Sequence, residues 1–584
     1  MNLLSVSNKN WILKKYNEDD ARFLKENFSL DEITSKLLSI RKIKKEDINS
    51  FLNPSIKNFL PNPEVINDMN KATTRTYNAI IKKHKIGVFG DYDVDGASAT
   101  ALLGNYFSML NVPYEIYIPD RKKEGYGPSI KAFEKFINNG VDIIFTVDCG
   151  TLSFKSIEFA KKKNIDVIVI DHHQSEIKLP SAYSIVNPNR YDDKSNLNYL
   201  CAAGVTFMFL VSINRYLRLK NWFVEKKKDE PNLIDFLDLV ALGTICDVVP
   251  LIGLNRAIVK QGLKVLRSKK NLGLKTLIDL CGIEVSPNVY HLGYILGPRI
   301  NAGGRVGRSS HGANLLLNTN PRDVYKIAIE LEQFNKERKY LEEDVLDKIL
   351  KNSKINSSDP VIILSGNNWH EGVIGIVASK IKEKFNKPVV IISINSGIGK
   401  ASARSIEGFD IGSAIISATQ KKIIIKGGGH KMAGGFSIKA ENISIFKEFI
   451  FKKFNKKKVE EKSLYFDSVI SPTALNINFY TKVNCLAPFG SGNPEPKFVI
   501  ENLHSINSKI IKDKHIKSVL VGEEGSSIKA IAFNSINTEI GSYLLKKDKK
   551  LFNIAGKLSL NEWKGQSNVE FIIDDISVIK SFKK

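Results

Sequence analysis

Carboxylates and imidazoles gather where three short apolar runs of this 584-residue chain stop. Asp171-His172-His173 ends the run 165–170, Gly90-Asp91-Tyr92-Asp93-Val94-Asp95-Gly96 follows the run 86–89, and Asp148-Cys149-Gly150 follows the run 143–147. Spaced by one residue, Asp93 and Asp95 project to the same side of an extended segment and can face one cation pocket. Asp247, after the apolar stretch 236–243, adds a further carboxylate. His172 supplies an imidazole, and Asp171 is placed to orient it, as metal-bound histidines require. One Asp-Gly pair alone is usually a turn. Several acids and two adjacent histidines at successive element ends point instead to a hard-cation site. Mixed Asp and His ligation suits Mn2+ or Mg2+, and the lack of nearby thiolates argues against a zinc preference. Two such ions, about 3.5–4 Å apart, can activate a water and stabilise the leaving oxygen of an in-line phosphoryl displacement. No serine or cysteine nucleophile is then needed.

These groups need elements to hold them. The runs 86–89, 143–147 and 165–170 are short and β-branched, as buried strands are, and helical stretches such as 96–110 separate them. Residues 76–320 are therefore expected to form an α/β lobe with a mostly parallel sheet. Open sheets of this kind place their sites at the carboxyl ends of the strands, where the acids fall. Before it, residues 1–75 read as a helical segment. Its stripe Leu30, Ile33, Leu37 and Leu38, with Asp31 near the start, is expected to dock against the next domain. After it, Asn320-Pro321 starts a long connecting helix over 321–355. A smaller α/β lobe is expected over 356–455, with strands at 361–364 and 389–392. A small β-barrel or sandwich is expected over 462–584, from short alternating segments such as 518–521 and 528–533.

Composition narrows the partner. The formal net charge is +24, and lysine-rich runs at 161–163, 226–228, 456–458 and 546–550 are spread along the chain. Any one run can be a solvated face. The whole-chain excess favours a polyanion, because neutralising phosphates drives non-specific nucleic-acid affinity. Five scattered cysteines without a Cys-x-x-Cys pair argue against a disulfide frame or structural zinc and fit a reducing compartment. With no apolar signal core and no uncharged run long enough to cross a bilayer, the expected location is the cytoplasm, without membrane association.

In this order, Asp93-x-Asp95, Asp148, Asp171-His172-His173 and Asp247 resemble the DHH phosphoesterase superfamily, most fully its single-strand-specific DNA exonucleases. Further matching motifs cover nearly the whole chain. They include Pro119-Asp120-Arg121, Gly125-Tyr126-Gly127, Gly297-Pro298-Arg299-Ile300-Asn301-Ala302 with Gly304-Arg305, His370-Glu371-Gly372, and Gly427-Gly428-Gly429-His430. The resemblance implies a DHH lobe and a smaller DHHA1 lobe joined by the long helix, plus a C-terminal oligonucleotide-binding barrel. It implies that Asp93, Asp95, Asp148, His172 and Asp247 hold two divalent cations, with Asp148 bridging. His173 would contact the scissile phosphate or complete the metal shell, and with Asp91 and Asp171 it makes up the implied catalytic set. Some members carry a metal-binding His four residues before Asp93; here that position is Phe89, so Asp91 or water would complete that ion's shell. Arg121, Tyr126, Arg299, Asn301, Arg305, Ser402 and Arg404 would contact nucleic acid. Gly427, Gly428, Gly429 and His430 would bind substrate through an anion nest, the other reading of a triple glycine being a tight turn. Phe498, Phe533 and Trp563 are candidate base platforms in the barrel. The implied activity is degradation of single-stranded DNA from the 5′ end to mononucleotides in repair and recombination, with a single-strand-binding protein and a helicase as partners. Two alternatives are a phosphodiesterase of the same superfamily for short oligonucleotides or cyclic dinucleotides, and a non-catalytic DNA-bound replication scaffold.

Overall fold

Short β-branched segments pair into one all-parallel, five-stranded sheet. Its strands are β1 (Ile86–Gly90), β2 (Tyr114–Tyr117), β3 (Ile143–Val147), β4 (Asp166–Ile170) and β5 (Ser184–Val186). The computed structural model describes residues 3–578 except 122, 353–354, 357, 455–461, 547–549 and 564–565. Spatial order is β2-β1-β3-β4-β5. Chain progression reverses between β1 and β3, which opens a crevice at their carboxyl ends. Helix α1 (Val94–Leu110) leaves β1 there and returns to β2, with Ala97, Ala101 and Leu102 buried against one face of the sheet. Phe89 is buried on the opposite face with Phe133 and Phe136, its ring stacked on Tyr117 at 5.7 Å. The edge strands β2 and β5 carry weak sequence signals: β2 is only half-buried, and β5 has three residues.

Helices α2 (Ala202–Leu219) and α3 (Leu237–Cys246) cover the α1 side. A π-helix, His291–Leu296, runs straight into α4 (Gly297–Val306). The long α5 (Pro321–Asn352) then leads to the second lobe, with Asn320 Oδ1 accepting from the Arg322 N–H at 3.0 Å at its start. At about 1.5 Å per residue its 32 residues span about 48 Å.

The second sheet has the order Lys426–His430, Ala433–Lys439, Ile398–Arg404, Val389–Asn395, Ile362–Asn367, and only the last two strands pair in parallel. Gly427-Gly428-Gly429 is thus part of an edge strand, neither a tight turn nor a nest. Along a strand, backbone N–H groups alternate in direction, so the successive N–H groups of a nest are not presented to one ligand. Gly427 and Gly429 are there for close approach, while Gly428 faces open space. A Cβ on Gly427 would sit 2.6 Å from Phe436 Cβ, and one on Gly434 would sit 2.5 Å from Ile415 Cδ1 of the overlying helix.

C-terminal strands follow the order Phe498–Ile511, His515–Gly522, Ser527–Ala532, Gln566–Val578, Phe552–Trp563, and the last pairs back onto the first. The pairing therefore runs round a five-stranded ring, and Phe498 lies in its core rather than offering a base platform. Phe533 is exposed, and the Trp563 side chain lies outside the described residues. Asp31 caps the N-terminal helix Glu32–Ile40 as its position suggests. Its stripe docks elsewhere than expected, however. Leu37 and Leu38 are buried in the ring's core with Phe498 and Leu503 rather than against the lobe that follows in sequence. The reason is strand pairing: Asn10–Leu13 lies parallel to Ser463–Phe466, and Trp11 Nε1 donates to Asp575 Oδ2 at 3.0 Å. Among the described residues no helix is long and apolar enough to cross a membrane.

Arg256, on helix Gly253–Arg267, ties these parts together. It is 1% exposed, and its guanidinium donates to the carbonyls of Phe51, Leu486, Ala487 and Pro488 at 2.8–3.2 Å while lying over the Phe51 ring. Arg256→Met would take the guanidinium donor from the Phe51 and Ala487 carbonyls, while those of Leu486 and Pro488 keep Asn493 Nδ2, and should cost about 3 kcal/mol. A urea titration followed by tryptophan emission should show a lower midpoint, with Arg256→Lys failing to restore it because an ammonium cannot fork to several carbonyls. An unchanged midpoint would remove this tie from the account.

Candidate metal centre

Each acid is held by a specific piece of backbone at the crevice. Asp93 caps α1, its Oδ1 accepting from the Gly96 N–H at 3.0 Å. Asp95, buried in the first turn of α1, accepts the N–H groups of Ala202 (2.6 Å) and Ala203 (2.9 Å) at the start of α2. That is the helix end that favours an anion. Helix α3 approaches so closely that a Cβ on Gly243 would lie 2.6 Å from Asp95 Oδ1. Asp148, directly after β3, is 2% exposed and takes φ +60°, a left-handed conformation that costs a non-glycine residue about 1 kcal/mol. Asp247 caps the carboxyl end of α3.

Both histidines stand over these acids. His172 Nε2 is 3.3 Å from Asp148 Oδ1, 3.7 Å from Asp247 Oδ2 and 3.8 Å from Asp95 Oδ2. His173 Nδ1 is 2.8 Å from Asp171 Oδ1. Asp171 therefore orients His173, not His172. Its Oδ1 also accepts the backbone N–H groups of His172 and His173, while Oδ2 accepts from the Thr151 N–H at 3.0 Å. A carboxylate curled onto its own chain reaches the ring two residues on and leaves the His172 ring to the acids. Asn187 and Asn189, just after β5, hold the carbonyls of His173 (2.8 Å) and His172 (2.5 Å). Sequence reading misses this pair because the three-residue β5 that delivers it gives no recognisable signal.

The electrostatics are those of an anion cluster short of cations. Burial, then the neighbouring Asp93, pushes the carboxyls of Asp91 and Asp148 well above the usual range. Asp247 is pushed up to about 8 by burial and then by Asp95 and Asp93. Burial alone would depress His173, but the Asp171 contact prevails and lifts it to about 9. Burial would raise Asp171, yet the same contact holds it below the ordinary carboxylate range. Asp91 Oδ1 and Asp148 Oδ1 are buried with no hydrogen-bond donor, a costly state for a charged oxygen. Three sets of donor atoms lie within 4.8 Å of one another: Asp91, Asp93 and Asp148; Asp95, His172 and Asp247; Asp148, His172 and His173. Unpartnered carboxylate oxygens, in one all-carboxylate set and two that add one or two imidazoles, suit hard divalent cations. Asp91 stands in the first set, while Phe89 points into the core on the far face of the sheet.

The residues expected at the nucleic acid divide. Tyr126 lies at the centre: its hydroxyl donates to the Asp148 carbonyl at 2.9 Å, and its ring meets His173 edge-on. Arg121 lies over the Tyr92 ring. Arg305 reaches from α4 to the second lobe, donating to the Gly372 carbonyl at 3.2 Å. Burial lowers it to about 10, helped by Arg121, Arg338 and Arg404 nearby. Arg404 donates to Ser402 Oγ at 3.2 Å on strand Ile398–Arg404. Arg299 is otherwise engaged, bonded to Glu332 of α5 at 2.5 Å and to the Ile295 carbonyl. Asn301 is half-buried one turn before Arg305 on α4. The contacts of Gly427, Gly429 and His430 run to helix Ile411–Gln420 and strand Ala433–Lys439 rather than to the acids.

Family models match in three places: the DHH family N-terminal domain over residues 85–244, the DHHA1 domain over 358–456 and the RecJ OB domain over 466–575. The single-stranded-DNA-specific exonuclease RecJ of Haemophilus influenzae is 34% identical over 545 residues, which are 90% of this chain and 93% of that protein. The protein of the same name from Bacillus subtilis is 30% identical over 583 residues, 98% of this chain and 71% of that one. The crystal structure of Thermus thermophilus RecJ with Mn2+ matches with a TM-score of 0.80 at 25% identity, covering 98% of this chain and 80% of the other. With this domain order and this extent of identity, the chain belongs to the RecJ family of DHH phosphoesterases.

Proposed function

We propose that this chain is a metal-dependent exonuclease that hydrolyses single-stranded DNA from its 5′ end to mononucleotides. The observation that carries this reading is the crowded set Asp91, Asp93, Asp95, Asp148, His172 and Asp247, with orphaned buried oxygens, in a chain 34% identical to a single-stranded-DNA-specific exonuclease. Asp93, Asp95, Asp148, His172 and Asp247 hold two cations, Mn2+ or Mg2+, and Asp91 completes the set around Asp93. Asp148 contributes to two of the donor sets, which suits a bridging role. When bound, the ions lower the pKa of an attacking water and neutralise charge on the phosphodiester.

The remaining chemistry belongs to the chain. Asp171 fixes the His173 ring through Nδ1, and Nε2, 3.4 Å from the Tyr126 hydroxyl, is the ring atom offered to the scissile phosphate. Tyr126 braces the Asp148 backbone in its left-handed turn. Burial, helped by the nearby Arg121, lowers the basicity of Arg305 and Arg404, and the three guanidinium groups supply positive charge for the strand end. Ser402 orients Arg404. In this reading the enzyme works in the cytoplasm, and a helicase and a single-strand-binding protein deliver its substrate.

Digestion of strands labelled at either end, with Mn2+ or Mg2+, tests the reading. Labelled mononucleotide should appear at once from the 5′ end and only late from the 3′ end, and EDTA should stop both. No release from either end sinks it. Asp148→Asn should lower turnover more than about 100-fold, since even an outer partner of a metal ligand is worth 10–100-fold. Because the substitution removes a crowded buried charge, its metal-free denaturation midpoint should not fall below the parent's. Mn2+ at a hundred times its Kd should stabilise the parent by about 2.7 kcal/mol and the variant by less. Arg404→Ala should weaken strand binding and reduce the steepness of its logarithmic salt dependence by about 0.7, the increment for one phosphate contact on a single strand. An unchanged salt slope would remove Arg404 from the interface.

A further inference from the structure

The π-helix His291–Leu296 has an inner and an outer face. Leu292 and Leu296 are buried in the first lobe's core, whereas Tyr290 and Tyr294 are 58% and 72% exposed. One turn apart, the two tyrosine rings lie nearly parallel, with centroids 5.3 Å apart and planes inclined by 24°. Single exposed aromatics need no explanation, but a stacked, solvent-facing pair on a rare helix type calls for one. The helix packs directly on the carboxyl end of α3, which carries Asp247. Cys246 Sγ lies 3.6 Å from the Leu292 carbonyl, and a Cβ on Gly293 would touch Ile245 Cγ2 at 3.3 Å. On its other side Tyr294 comes close enough to Lys557, on the ring strand Phe552–Trp563, for the phenol to bear on that ammonium. Directly after Asp247, Val248 is 67% exposed and adds an apolar side chain to the same stretch.

We propose that Tyr290 and Tyr294 form a base-stacking platform for single-stranded DNA, outside the metal centre on the side that leads to the C-terminal ring. This rests on the exonuclease reading above, since it supplies the strand. Every base has a π-face, so stacked rings hold bases without regard to sequence, as an exonuclease advancing along its substrate requires. Lys557, on the barrel side, is paired with Glu495 at 2.6 Å, so the platform holds the strand through its rings rather than through charge. A strand long enough to reach the platform gains affinity there, and a di- or trinucleotide at the metal centre does not.

The test is binding by the full chain in EDTA, read by fluorescence anisotropy, for labelled oligonucleotides of 3 to 20 residues and for 20-residue strands abasic outside the 5′-terminal trinucleotide. Tyr290→Ala/Tyr294→Ala should weaken the intact 20-residue strand about tenfold, the value of stacking one to two bases, and the loss should shrink as the strand is shortened. Tyr290→Phe/Tyr294→Phe should bind like the parent, because rings rather than hydroxyls make the contact. The abasic strand should bind parent and alanine variant equally. Emission from the indole of a Tyr294→Trp variant should be quenched by the long strand and not by the trinucleotide. Equal affinity of parent and alanine variant for every strand overturns the platform. So does a loss that is independent of length, or a phenylalanine variant as weak as the alanine one. Parallel assays with Mn2+ keep the two readings apart: a parent that releases no nucleotide fails as a nuclease, whereas the binding comparison judges the platform by itself.

Discussion

Mutual repulsion among Asp91, Asp93, Asp95, Asp148 and Asp247 is the constraint around which the first lobe is built. Burial and like charge both push Asp91, Asp95, Asp148 and Asp247 toward the neutral form. The fold opposes this unevenly. Asp95 receives two backbone N–H groups at the start of α2, the favourable end of a helix dipole. Asp247 has no such help: it caps the carboxyl end of α3, where the dipole disfavours an anion. The least compensated acids, Asp91 and Asp148, are also those with an oxygen lacking any hydrogen bond. A polypeptide that tolerates this in its folded state has given up stability for affinity toward cations.

Geometry is kept by backbone devices rather than by side-chain packing alone. The left-handed turn at Asp148 sets its carboxylate among Asp91, Asp93 and His172, and Tyr126 grips the carbonyl of that same residue. Gly243 lets α3 lie against Asp95 with no intervening side chain. Asp171 spends its oxygens on Thr151, on its own turn and on His173, while Asn187 and Asn189 fasten the histidine carbonyls from β5. His173 is thereby fixed through backbone and ring together and His172 through its backbone, which lowers the entropy an ion must overcome in ordering them.

The strand ends are legible in the sequence because a buried parallel strand is a β-branched run, and an acid immediately after it breaks the pattern. That logic finds Asp91, Asp93, Asp95, Asp148 and Asp171, and it places α1, α3 and the start of α5 to within a few residues. It fails where the physics is not local. The curl of Asp171, which decides the histidine it serves, depends on hydrogen bonds to Thr151 and to its own turn. Arg299 and Arg305 share α4 and look equivalent in sequence, yet one pairs with Glu332 and the other crosses to Gly372. Triple glycine suggests a turn by composition, but here it lies in a strand where Gly427 and Gly429 pack closely and Gly428 faces open space. The N-terminal stripe finds its partner more than 400 positions away, a distance periodicity does not address.

The same long-range contacts bind the barrel to the chemistry. Three residues after Asp247, the chain is clamped: a Cβ on Gly492 would lie 3.0 Å from Pro250 Cβ, and the Leu251 N–H donates to the Ser491 carbonyl at 2.7 Å. Between ligand and clamp stands Val248, a β-branched residue at φ +60°, a conformation that persists only where its surroundings enforce it. The enforcing contacts come from both sides, since α3 fixes Asp247 and the 489–493 segment fixes Leu251. Arg256, five residues further on, forks onto the carbonyls of Leu486, Ala487 and Pro488 and makes that segment rigid with respect to the first lobe. A shift of the C-terminal ring relative to the sheet would therefore act on the strained turn at Val248 and through it on Asp247. In this fold the barrel and the acidic cluster share a covalent and hydrogen-bonded frame only a few residues long, so the placement of the Asp247 carboxylate depends on the seating of the barrel.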